Sequence, residues 1–270
     1  MLMRFWPGRG RTTIPLVRLS GTIGMGSGLR PGLSLDAVEG ALAKAFAQKG
    51  PCVALVINSP GGSPAQSSLI ANRIRRLAAE KDKAVLAFVE DVAASGGYWL
   101  ACAADEIHAD ATSIVGSIGV ISASFGFTEL ISKIGVERRV YTTGENKSIL
   151  DPFRPEQPRD LEILSDVQGD IYEAFVAEVK ARRGTRLSDH PDLFTGRFWA
   201  GTSALELGLI DGIGAMRDIL RDRYGEKVRI KKISIGKPSF LRRFGLGTGL
   251  GADAMIGAVR ADRLYDRYGL

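Results

Sequence analysis

Two uninterrupted apolar runs, Cys52-Val53-Ala54-Leu55-Val56-Ile57 and Ala84-Val85-Leu86-Ala87-Phe88-Val89, constrain this chain more than any other feature of it. Neither alternates with polar residues, so a strand built from either is buried on both faces. Such strands belong to parallel sheets covered by helices on both sides, which predicts an α/β fold around a mainly parallel sheet.

The intervening segments have helical spacing. Leu33 to Gln48 carries apolar residues at 35, 38, 42 and 46 and stops before Gly50-Pro51. Ser63 caps a helix with Pro64 in its first turn and an apolar stripe of Leu69, Ile70, Ile74 and Leu77. Further strands are expected at 14–19, 106–109, 114–122, 137–141 and 228–235. Helices are expected at 98–104, 128–134, 204–207 and 216–224. The longest helix is expected at 159–183, with apolar positions 161, 164, 167, 171, 175 and 179. Between them, 142–158 is a polar segment without periodicity. This organisation predicts a basic N-terminal segment at 1–13, one α/β domain over 14–235, and a Gly/Arg-rich tail at 236–270.

The net charge of +6 is uneven, because Arg217 to Arg243 alone contribute ten Lys/Arg against three Asp/Glu. That patch suits an anionic membrane surface or a plain solvated face; without an aromatic reading surface beside it, nucleic acid is not an expected partner. Cys52 and Cys102 lie in apolar runs without metal-ligand spacing and read as buried thiols; no metal or cofactor is expected. The first residues lack the apolar core of a secretory signal, and no uncharged run makes a good membrane span. A cytoplasmic protein is expected, with peripheral contact at the inner face of the cell membrane open to it.

Each apolar run ends in a turn of small residues: Ser59-Pro60-Gly61-Gly62 after the first, Ala94-Ser95-Gly96-Gly97 after the second. Neighbouring parallel strands would open both turns at one carboxyl edge, where α/β sheets bind ligands. Ser95 there reads either as a helix-capping residue or as a nucleophile. In the second case Gly62 and Gly96 can supply convergent N–H groups, an oxyanion hole. A nucleophilic serine needs a base. Of the two histidines, His108 sits on an expected strand and His190 in a polar loop. Lys147, in the irregular segment Gly144-Glu145-Asn146-Lys147-Ser148-Ile149, is the best placed of several lysines, and an exposed loop lysine is its plain alternative.

Five segments in order carry a resemblance: Ile57 to Ser63, Ala93 to Trp99, Gly116 to Val120, Thr143 to Ser148, and Phe194 to Arg197 followed by Ala204 to Asp211. Over roughly residues 14–235 the chain resembles the signal peptide peptidase A family, serine peptidases with the ClpP/crotonase-like fold of repeated ββα units. The resemblance implies Ser95 as nucleophile and Lys147 as general base, a Ser/Lys dyad working through an acyl-enzyme. It also implies Gly62 and Gly96 as oxyanion donors, Ser117 as a hydrogen-bonding support of the lysine, and Ser59, Pro60 and Gly61 along the peptide. Peptides such as signal peptide remnants or unfolded hydrophobic polypeptides are the implied substrates, and a homo-oligomer the implied assembly. Two alternatives use the same scaffold. A ClpP-like Ser-His-Asp peptidase expects a histidine about 25 residues after the serine, where this chain has Val120; a crotonase-type acyl-CoA enzyme uses the paired N–H groups without a nucleophile.

Overall fold

The computed structural model describes residues 11–24, 32–236, 265, 267 and 268. Of the basic segment expected at 1–13, residues 1–10 lie outside these. So does most of the tail expected at 236–270, and residues 25–31 of the Gly-rich stretch. The chain divides into two compact units, one formed by residues up to 118 together with those from 176 onward, the other by residues 119–175.

The first unit is built on a sheet whose strands are β1 (Thr13–Ser20), β2 (Cys52–Ser59), β3 (Ala84–Ala94), β4 (Glu106–Ala109), β5 (Ile114–Gly116), β6 (Phe198–Ala200), β7 (Gly212–Ile213) and β8 (Arg229–Ile233). The order is β6-β5-β3-β2-β1-β8, with β4 pairing β3 and β7. Every pairing is parallel except β5 with β6. The two apolar runs are thus neighbouring central strands, and all eight residues of β2 are buried.

Both faces are covered. Ile14, Leu16, Cys52, Ala54, Val56, Leu86 and Phe88 form a core with Leu220 of the helix Met216–Tyr224. Residues of opposite parity, such as Val53, Leu55 and Ile57, are equally buried, on the side of α1 (Leu35–Ala47), α2 (Pro64–Lys81) and α3 (Gly96–Cys102). Serine caps open α1 and α2, as expected for α2: Ser34 Oγ accepts from the Ala37 N–H and Ser63 Oγ from the Gln66 N–H. A bidentate Arg73–Glu39 pair links these helices. Leu69, expected in the apolar stripe of α2, is instead 46% exposed, one position off the buried row of Ile70, Ile74 and Leu77.

β3 is longer than its apolar run because it serves two partners. Leu86–Val89 pair with Glu106–Ala109 of β4, then Val92–Ala94 pair with Ile114–Gly116 of β5. The ladder with β2 shifts register between Ile57 and Ser59, where Asn58 donates to Asp91 Oδ2 at 2.6 Å and ties the two irregular stretches together. This displaced end of β3 carries Ser95.

An ion pair holds the late segments to the sheet. Arg183, at the end of α5 (Pro158–Arg183), has a side chain 1% exposed; it donates to the Gly208 carbonyl and to both oxygens of Asp211. Asp211 also accepts the Ile107 N–H at 2.7 Å. Its neighbour Arg182 donates to the Cys102 and Ala104 carbonyls at the end of α3.

The second unit contains α4 (Thr128–Lys133) and the first turns of α5. The strand expected at 137–141 does not form: these residues have no ladder partner, and Arg138 and Arg139 pair locally with Asp151 and Glu137. The strand expected at 114–122 ends at Gly116. Leu161 and Val167 of the expected α5 stripe are exposed, whereas Phe175 and Val179 are buried. No helix among the described residues is long and apolar enough to cross a membrane.

Candidate active site

The two small-residue turns meet at the carboxyl edge of β2 and β3. After β2, Ser59 Oγ accepts the Gly61 N–H at 3.2 Å, folding the chain back on itself. Ile23 then pairs in parallel with Gly62: the Ile23 N–H reaches the Gly61 carbonyl and the Ser63 N–H the Ile23 carbonyl, both at 2.8 Å. In a parallel bridge the flanking residues make those bonds, so the Gly62 N–H faces away from Ile23. Gly62 has φ +141°, and a Cβ there would lie 2.1 Å from the Ile23 carbonyl oxygen.

After β3, Ser95 adopts φ 52°, ψ −123°, a left-handed backbone that side chains rarely take. Three backbone bonds hold it there. Its N–H reaches the Gly116 carbonyl at 2.8 Å, and its carbonyl accepts from the Tyr98 and Trp99 N–H groups at 2.9 and 3.1 Å. The hydroxyl makes no cap bond to α3, so the helix-capping reading fails. The residue is half-buried, which leaves Oγ reachable. The Gly96 N–H is the first amide of α3 and has no partner inside the helix.

Glycine lets the turns touch. A Cβ on Gly61 would lie 2.8 Å from Ser95 Cβ and 2.9 Å from the Gly96 nitrogen; one on Gly97 would lie 2.2 Å from the Ser59 carbonyl oxygen. Ser59, Pro60, Gly61, Gly62, Ser95 and Gly96 therefore form one backbone-lined corner.

Ser117 flanks it. Gly116 pairs with Ala94, and Ser117 follows in a second left-handed conformation, φ 53°, with its N–H on the Arg197 carbonyl at 2.8 Å. The side chain is buried, and its Oγ is hydrogen-bonded by the Tyr268 hydroxyl at 3.1 Å.

Lys147 belongs to the second unit. It lies in a turn with its N–H on the Gly144 carbonyl at 3.2 Å, and its side chain is exposed. That turn is fastened to the start of α5 by the Leu150 N–H on Asp160 at 3.1 Å and by the Glu145–Arg159 pair at 3.4 Å.

The histidines have other partners. His108 stacks on Phe88 at 5.6 Å and bonds Glu106 at 3.2 Å. It pairs with Phe88 in the ladder, seven residues before Ser95, hence about 20 Å away along the strand. Glu106, which also pairs with Arg223, is held down at about 2 by the His108 hydrogen bond and the Arg223 guanidinium, with burial opposing. His190 is exposed, accepts the Asp192 N–H and meets Trp199 edge-on. Both cysteines are buried, which pushes Cys52 up to about 11 and Cys102 to about 12.

Two side chains at this corner escape a reading of sequence alone. Tyr265 and Tyr268 come from the segment read as tail; Tyr265 donates to the Asn58 carbonyl at 3.1 Å, at the end of β2. The only signal was a pair of tyrosines three apart in an Arg/Asp-rich stretch.

The family model for peptidase family S49 matches residues 78–228, more than half of the chain. A Brucella abortus protein named Na(+)/H(+) antiporter NhaA is 52% identical across 100% of this chain, and the chain spans 39% of that protein's length. A putative protease of Synechocystis is 34% identical over 79% of this chain and 74% of its own length. Among solved structures, a variant of the 1510-N membrane-bound stomatin-specific protease superposes with a TM-score of 0.51 at 14% identity, covering 84% of this chain and 100% of that one. That likeness extends to the fold.

Proposed function

The chain belongs to peptidase family S49, the signal peptide peptidase A family, and from that premise we propose that it is a serine endopeptidase working through a Ser95/Lys147 dyad. Neutral Lys147 takes the proton from Ser95 Oγ as that oxygen attacks the peptide carbonyl, and the Gly62 and Gly96 N–H groups receive the oxyanion. Lys147 gives the proton to the leaving amine. It then takes one from the water that hydrolyses the acyl-enzyme and returns it to Ser95. Ser117 orients the lysine, and the Ser59-Pro60-Gly61 turn lies along the peptide.

The observation that carries this reading is Ser95 itself: a half-buried serine in a strained strand-to-helix turn, its hydroxyl free of any cap, with the first amide of α3 beside it. A histidine triad finds less support, because His108 is about 20 Å up the strand and already bonded. Intact mass after a fluorophosphonate probe, followed by peptide mapping, tests the nucleophile. The expected result is one adduct on Ser95 that slows sharply in Lys147→Met; cleavage of an unfolded hydrophobic peptide by Ser95→Ala at the parent rate would refute the assignment.

The proposed substrates are signal peptide remnants or unfolded hydrophobic polypeptides, at the inner face of the cell membrane. The basic stretch from Arg217 and the relative named as an antiporter support a membrane location. Flotation with anionic vesicles checks it, and a chain left at the bottom of the gradient would remove it. A homo-oligomer is proposed because Ile121, Phe125, Leu130, Ile134, Val136 and Tyr141 are all exposed in the second unit. Sedimentation as a monomer at micromolar concentration would contradict it.

A further inference from the structure

The Ser117 hydroxyl of the candidate site is held by a side chain from far along the chain. Tyr268 is buried, its ring packed on Val92 and Ala94 of β3 and met edge-on by Phe198 at 5.1 Å. Its hydroxyl lies 3.1 Å from Ser117 Oγ. Tyr265, one turn earlier, is hydrogen-bonded to the Asn58 carbonyl, and the Tyr268 N–H bonds the Tyr265 carbonyl at 2.8 Å. The pair therefore spans the ends of β2, β3 and β5, the three strands that deliver the corner around Ser95.

The chemistry of the contact has a direction. A serine hydroxyl has one proton and two lone pairs, and a phenol is the better donor of the two groups. With Tyr268 donating, Ser117 accepts, and its own proton has to point elsewhere. The Ser117 N–H is already on Arg197, and no described residue receives the hydroxyl proton. The charged groups nearby are Arg267, whose guanidinium is 5.9 Å from the Tyr268 ring centre, and Arg197, paired with Asp192 at 2.7 Å. Neither is an acceptor.

We propose that Tyr268 is a positioning residue of the dyad: its hydroxyl fixes the Ser117 rotor so that the Ser117 proton is offered to the neutral amine of Lys147. This rests on the Ser95/Lys147 reading above. With one lone pair taken by Tyr268, Ser117 is the poorer acceptor for an ammonium, while its proton stays available to a neutral amine, which favours the form that acts as base. Without Tyr268 the Ser117 hydroxyl rotates freely and that preference weakens.

The test is Tyr268→Phe, which keeps the ring and its packing and removes only the hydroxyl. Losing one such hydrogen bond should lower kcat/KM on a hydrophobic peptide about two- to tenfold near neutral pH. KM and Tm should change little, and the acid limb of the kcat/KM profile should move up by about half a pH unit to one unit. Activity should converge with the parent above that limb. In a Ser117→Ala background the same substitution should have no further effect. A profile superimposable on the parent, or full additivity with Ser117→Ala, would overturn the proposal. So would a rise in activity, which would mean that Tyr268 blocks the peptide path. Lys147→Met separates the two levels of inference. If it is inactive while Tyr268→Phe matches the parent, only the positioning role falls; if it cleaves normally, the dyad falls and the positioning role with it.

Discussion

Gly61→Ala should damage both the fold and the site, and the size of the effect follows from what its Cβ meets. Gly61 has φ +102°, where an L-residue pays about 1–2 kcal/mol of backbone strain. The added carbon would also lie 2.8 Å from Ser95 Cβ, 2.9 Å from the Gly96 nitrogen and 3.0 Å from the Ala94 carbonyl oxygen. Two of these three are backbone atoms, held by the sheet and by α3, so they yield poorly; overpacking of this kind costs about 1–3 kcal/mol. Against that, alanine restricts the unfolded chain and recovers about 0.4–1 kcal/mol. The net loss is about 1–5 kcal/mol, or about 2–20 °C in Tm for a chain of this size.

Two other glycines separate the terms. Gly21 has φ +106° with nothing within 4 Å of its ideal Cβ, so Gly21→Ala pays the backbone strain alone. Gly40, inside α1, has open space at an ordinary φ, and Gly40→Ala should stabilise by about 0.5–1 kcal/mol. Scanning calorimetry on the three variants should therefore rank Gly40→Ala above the parent, Gly21→Ala below it and Gly61→Ala lowest. Peptide cleavage should survive in the first two and fall by about 100-fold in the third, where the nucleophile is pushed out of line. If Gly61→Ala melts with Gly21→Ala and cleaves at the parent rate, the two turns are not in contact and the proposed corner is wrong.

Ser95→Gly, which tolerates φ 52°, should melt above Ser95→Ala by about 2–6 °C, both being inactive; equal melting points would show that the turn stores no strain. Asp211→Asn leaves the Arg183 guanidinium buried without its counter-charge and should cost about 3–5 kcal/mol, read by urea denaturation; a loss under 1 kcal/mol would mean the pair is solvated. Glu106 is held at about 2 by His108 and Arg223, below its ordinary 4.5, so it contributes stability above pH 4.5 that is lost as pH falls toward 2. Glu106→Gln should therefore lower Tm at neutral pH and flatten the Tm profile between pH 4.5 and 2; a parallel profile would exclude this role. Burial raises both thiols, so Cys52 and Cys102 should resist iodoacetamide at pH 8 in the native state and react in urea, as mass spectrometry would detect.

The central strands were legible because burial on both faces leaves an unbroken apolar run, and Cys52–Ile57 and Ala84–Val89 had no competing pattern. Neighbouring parallel strands then put their following turns at one edge, so the meeting of Gly61 with Ser95 was implied as well. Elements whose stability comes from partners were not legible. β6 and β7 are three and two residues long and exist through pairing with β5 and β4. Conversely, Glu137 to Tyr141 ends in the β-favouring pair Val140-Tyr141, but its charges pair along the chain and no described neighbour completes a ladder. Tyr268 illustrates the same limit: its contact with Ser117 is 151 residues distant in sequence, and no local rule reaches that far.

Ser95 is where local rules failed outright, and the failure is informative. A serine ahead of a buried helix should cap it, with its backbone extended and its oxygen on a first-turn amide. Here the backbone is left-handed and the cap is missing, yet Gly116, Tyr98 and Trp99 each spend a backbone hydrogen bond on holding it so. Strain persists only where the surroundings over-determine it, and the surroundings here are the β3–β5 ladder on one side and the first turn of α3 on the other. Capping would turn the hydroxyl onto the first-turn amides and bond it there; the strained turn leaves the hydroxyl without that bond. A fold that needed only a strand-to-helix connection would relax into the cap, so the strained turn supports the proposed role of Ser95 Oγ as nucleophile.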